Sequence, residues 1–142
     1  MFNKFVIVTK NVHISEFAML NIWPMCKGTI RLITFNAFAF RRMRRLGPAM
    51  LSDCPCLHGV TSEDDILPAF PPDDSANASV GQAVAKWLFT PHPDNVLKQL
   101  NCTVNTSEEQ WSSTIEQLKA TFSAASSRVA FSFSFIFLRC TL

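Results

Sequence analysis

The sequence predicts a mainly α-helical chain: a small helical segment over about residues 75–125, with short strands at both termini. Three observations predict it. Val80, Val84, Trp87 and Leu88 fall on one helical face. In "TSEEQWSSTIEQLKATF", Thr106 and Glu109 have capping-box spacing, and Trp111, Ile115, Leu118 and Phe122 recur at i, i+4, i+7 and i+11. The β-branched and aromatic runs lie outside this segment, towards the two ends.

In chain order, "KFVIVT" (4–9) and "TIRLITF" (29–35) read as short strands. Between them, "NVHISEFAMLNIW" reads as a helix that starts near Asn11 or Ser15 and stops before Pro24. "RRMRRLGP" places four arginines in five residues before a Gly-Pro break. "CPCLHGVTSEDDILPAFPPDDSANAS" reads as a proline-rich loop in which Ser62 caps a short turn. The helix from Ser75 ends at "TPHP", and "PDNVLKQL" reads as a second, short helix with Val96, Leu97 and Leu100 inward.

The last stretch, "RVAFSFSFIFLRC" (128–140), has only ten uncharged residues between Arg128 and Arg139, half of what a membrane-spanning helix needs. As a strand it paves one side with phenylalanine and leaves an edge prone to aggregation. Phe, Ser and Leu also have pyrimidine-rich codons, so a translated pyrimidine tract is a third reading, and the same doubt extends to the poorly patterned first 45 residues. The chain thus divides into a basic segment (1–52), a proline-rich acidic linker (53–74), a helical module (75–127) and an apolar Phe/Ser tail (128–142).

At 142 residues the chain makes one domain at most, and 48% hydrophobic against 17% charged residues excludes disorder by composition. Its net charge of +2 conceals a division. Residues 1–52 hold eight Lys and Arg against one acid, Glu16, a balance of +7, whereas residues 53–127 balance at −7. Either the halves attract one another or the basic half is a targeting or binding arm. An Arg-rich, acid-poor N-terminus suits a mitochondrial address, with the cytoplasm as the alternative. Five cysteines without framework spacing, and no uninterrupted apolar signal core, argue against secretion.

Cys54, Cys56 and His58 in "CPCLH" are close enough in sequence to share a metal, with His92 and Cys102 as remote ligands, but paired C-x-x-C knuckles are absent. Arg41, Arg42, Arg44 and Arg45 carry the charge to contact phosphates, without interleaved aromatic stacking residues. Glu63, Asp64, Asp65, Asp73 and Asp74 read as solvated or helix-capping acids. No phosphate loop, dinucleotide fingerprint or catalytic triad is legible, so the sequence predicts no catalytic residue, no metal and no cofactor.

The stretch from Phe89 to Phe131 resembles the C-terminal helical region of 3-hydroxyisobutyryl-CoA hydrolases, of the enoyl-CoA hydratase/isomerase (crotonase) superfamily. Phe89 and Thr90 stand at its Phe-Ser, Val96 and Leu100 on its first helix, Trp111 at its Trp, and Thr114, Ile115 and Leu118 on the following turn. "SAASSRVAF" stands where that family has "SP.SLKV.L", without the Pro and with Ser127 for Leu. The resemblance implies a piece of a CoA-thioester hydrolase, inactive by itself because catalytic carboxylates and oxyanion hole lie in a core absent here. It also implies docking on an intact homologous subunit through Trp111, Ile115, Leu118 and Phe122. The alternative expectation is a non-enzymatic, α-rich interaction protein with a basic targeting arm.

Overall fold

A computed structural model describes residues 3–64, 66–91, 97–104, 113, 115–117, 119, 120, 123 and 131–137. Five strands, β1 (Lys4–Ile7), β2 (Leu32–Phe35), β3 (Gly59–Ser62), β4 (Lys98–Val104) and β5 (Phe131–Phe137), form one sheet in the order 1-2-3-4-5. Every neighbouring pair is parallel. The architecture is therefore α/β, and the mainly helical expectation is overturned by a parallel sheet running through the whole chain.

Parallel neighbours require a crossover, and helices supply it. The first crossover is α1 (Val12–Phe17), a π-helical turn (Ala18–Ile22) and α2 (Trp23–Cys26); α3 (Ala37–Leu46) and α4 (Val80–Phe89) serve the next two. The backbone is also helical at Ser113, residues 115–117, Lys119, Ala120 and Ser123, between β4 and β5. Helix α1 lies against α3, and α3 against α4, so these helices form a single layer.

Burial shows which sheet face that layer covers. Phe5, Ile7, Ile33, Phe35, Val60, Leu100 and Cys102 are buried with Ala18, Trp23, Phe40, Met43, Val84 and Leu88 in one core. Each fully buried large apolar side chain contributes roughly 1.5–3 kcal/mol by leaving water. Register aligns Phe5, Ile33, Val60, Leu100 and Phe133 in one row across the sheet. The alternate row, Val6, Thr34, Thr61, Asn101 and Ser134, belongs to the opposite face.

The predicted strands at 4–9 and 29–35 and the helix expected from Asn11 or Ser15 are present, and Asn11 is its cap, its side chain accepting from His13 N and Ile14 N. That helix runs past Pro24, which is tolerated because it lies in the first turn of α2 after the π turn. Residues 4–46 therefore contribute two strands and three helices to the fold rather than forming a detached basic arm.

Two further corrections concern the middle of the chain. β3 lies at the centre of the sheet inside the stretch read as a loop. The predicted short helix ending at Leu100 gives way to β4, which begins at Lys98 and keeps Leu100 buried and Leu97 exposed. Alternation of Leu100 and Cys102 with Gln99 and Asn101 fits a strand, and tertiary pairing with β3 outweighs the helical spacing. The C-terminal Phe/Ser run pairs with β4 through all seven residues of β5. Its alternation agrees with the sheet: Phe133 and Phe135 take register positions opposite buried Leu100 and Cys102. Thr106, Glu109, Trp111, Leu118 and Phe122 lie outside the described residues, and Ile115 packs against the core.

Candidate functional site

In an open α/β sheet, ligands bind beyond the carboxyl ends of the strands, so the residues gathered there are the first candidates. After β1, β2 and β3 these are Thr9, Asn36, Ser62 and Asp64, and they satisfy one another. Asn36 caps α3 by accepting from Ala39 N at 3.0 Å and donates Nδ2 to Thr9 O at 3.0 Å. Asp64 Oδ2 accepts from Ala37 N at 2.6 Å, placing a carboxylate on the positive end of α3. Ser62 Oγ donates to Asp64 O at 2.7 Å and accepts from Asp64 N at 3.2 Å. The N-terminus that an exogenous anion would need is thus filled by the chain's own acid. Here the expectation of helix-capping acids holds for Asp64; Asp65 lies outside the described residues.

A groove of about 460 Å³ lies beside this edge, between α3, the start of α4 and the 66–69 segment. Its lining is mostly apolar, with Arg41 and Arg44 as the cations. Arg44 is buried and bonded through all three guanidinium nitrogens: Nε donates to Pro48 O at 3.3 Å, Nη1 to Ala78 O at 2.9 Å and Nη2 to Ser75 O at 3.0 Å. Burial lowers its pKa, while Asp74 and Asp73 oppose that shift. The guanidinium therefore ties the loop before α4 to α3, and of the four arginines singled out, one is structural.

A smaller pocket of about 230 Å³ contains Lys98, Cys54, Ser52 and Trp87. Lys98 is only 4% exposed. Its Nζ donates to Trp87 O and Thr90 O at the end of α4 and stands 5.0 Å from the Trp87 ring centroid. Burial pushes the ammonium down to about 8. A depressed lysine in a pocket resembles a nucleophile, but this one sits at the amino end of β4 and caps the free carbonyls of α4. Its position and bonds mark a structural clamp.

The other predicted chemistry is dispersed. Cys54 is buried, its thiol raised to about 12 by burial, with Cys26 and Asp53 adding to the shift. Cys56 and His58 are half-buried. Cys102 lies under the sheet, its Sγ donating to Ile66 O at 3.2 Å, and His92 lies outside the described residues. Among the described residues no three His, Cys, Asp or Glu side chains converge for a metal.

What the described residues leave open is a surface. Parallel sheets are almost always covered on both faces. Here the face opposite the helices carries Lys4, Val6, Leu32, Thr34, Thr61, Gln99 and Asn101, all exposed or half-buried. Asn101 Nδ2 reaches Thr61 Oγ1 at 3.4 Å, and a Cβ at Gly59 would meet Leu32 Cδ2 at 2.3 Å, so Leu32 folds over the glycine. The chemistry there is hydroxyl and amide around two apolar side chains, Val6 and Leu32, with Lys4 on the outer strand. Sequence reasoning missed this face because β3 and β4 were read as loop and helix. No helix among the described residues is long and apolar enough to cross a membrane. No protein-family model, curated protein or solved structure matches this chain.

Proposed function

We propose that this chain is a non-catalytic protein-interaction module whose working surface is the open face of the parallel sheet. The observation that supports it is the one-sided arrangement itself: helices back one face while the row Val6, Thr34, Thr61 and Asn101 faces outward. Sheets assembled in sequential order with helices behind them present extended surfaces to partners, as solenoids do.

It is preferred over a hydrolase fragment docking through Trp111, Ile115, Leu118 and Phe122 for two reasons. Ile115 packs inward, and β4 stands where that resemblance implies helix. A cellular address carried by Arg41, Arg42 and Arg45 is compatible with either function.

Photo-crosslinking in cells from benzoylphenylalanine at Thr34, Thr61 or Asn101 tests the proposal. The expected result is a common discrete adduct from all three positions, with the Asn101 adduct lost when Thr34→Lys/Thr61→Lys is added at unchanged circular dichroism. Only diffuse labelling, or acyl-CoA hydrolysis by the purified chain, would count against it.

A further inference from the structure

A second surface, distinct from the open sheet face, lies on the outer flank of the first crossover. The buried residues of α1, the π turn and α2 are Ser15, Ala18, Trp23 and Cys26, with steps of three, five and three. The five-residue step is the π turn, whose bond runs from Trp23 N to Ala18 O. Ile14, Phe17, Ile22 and Met25 repeat the same steps displaced by one residue, so they form a second stripe alongside the first. All four are exposed, Phe17 by 59% and Met25 by 85%.

Their position explains why nothing in the described fold covers them. β1 is an outer strand paired only with β2, and α1 is the first helix of the layer, flanked by α3. The exposed stripe thus borders the slot that a further helix of the layer would fill. The charges around it are mostly basic, with exposed Glu16 on α1 as the one acid. Lys10 precedes α1, Lys27 follows α2 and Arg31 leads into β2; all three are exposed, and their side chains have no hydrogen bond or ion pair among the described residues. Glu16 is the one acid in residues 1–52.

We infer that this flank binds an acidic amphipathic helix of another protein, laid beside α1 and α2 in the vacant slot. The apolar stripe receives the partner's i, i+3, i+4 and i+7 anchors, and Lys10 and Lys27 meet acids near its two ends. Complementary charge selects the partner and the apolar contacts retain it.

Fluorescence anisotropy tests this with the full chain and two labelled helical peptides sharing the same leucine face, one with glutamates elsewhere and one with lysines. The glutamate peptide is expected to bind at least about tenfold tighter than its counterpart. Phe17→Ser/Met25→Ser, at exposed positions, is expected to weaken it by about tenfold or more with unchanged circular dichroism. Lys10→Glu/Lys27→Glu reverses the preference, while Thr34→Lys/Thr61→Lys leaves it intact, which separates this surface from the sheet face. Equal affinity for both peptides, or indifference to the Phe17 and Met25 changes, overturns the inference. So does self-association abolished by those changes, which would assign the slot to a second copy. Binding confined to anionic vesicles would assign it to a membrane surface and equally overturn it.

Discussion

Lys98, Arg44 and Cys54 show how a titratable side chain becomes structural. Lys98 is a base whose folded value of about 8 lies below its ordinary 10.5. Between those values the unfolded chain holds a proton that the folded chain has released, so stability rises with pH and is lost as pH falls through 8. Cys54 runs the other way: its thiol, raised from 9.0 to about 12, keeps its proton when folded, so stability falls above 9.0. Denaturant unfolding is therefore expected to gain about 1 kcal/mol from about pH 8 to 9 and flatten above it. Lys98→Met should abolish the gain, and Cys54→Ala should extend it. Arg44→Met, which strands three carbonyl acceptors, is expected to cost about 2–4 kcal/mol by the same measurement, against at most about 0.5 kcal/mol for exposed Arg45→Ser.

Among the elements, α4 was the most legible, because its signals are local. Ser79 accepts from Gln82 N at 3.2 Å while Gln82 Oε1 accepts from Ser79 N at 2.9 Å, a complete capping box that starts α4 at Val80 rather than at the expected Ser75. Ser79→Ala is expected to lower stability by about 1 kcal/mol in a thermal or denaturant melt. Gly81, by contrast, has a reason that only packing reveals: an added Cβ would lie 2.4 Å from Leu67 O and 3.0 Å from Ala69 Cβ. Gly81→Ala should therefore destabilise by about 1–3 kcal/mol, although alanine favours an isolated helix by about 1 kcal/mol. The π turn makes a similar point. Inserting an alanine after Asn21 would lengthen the five-residue step from Ala18 to Trp23 to six and rotate Trp23 and Cys26 away from the core by about 100°, at an expected cost of at least about 3 kcal/mol in denaturant.

At the scale of the molecule, the sequence by itself determined the buried face of α4, a first helix starting near Asn11 or Ser15 and the first two strands. These depend on residues within a turn or two of one another. Tertiary structure decided the rest. Whether "KQLNCTV" is helix or strand depended on β3 being available beside it, with Lys98 at an inward position obscuring the alternation. Whether "FSFSFIF" is a tail or a strand depended on β4, whose register puts its phenylalanines in the row of the buried side chains. The candidate surfaces were illegible for the same reason. A face left open by a sheet, and a stripe left open by a missing neighbour, follow from which elements pair across 27 or more residues of chain. Local periodicity carries no record of those pairings.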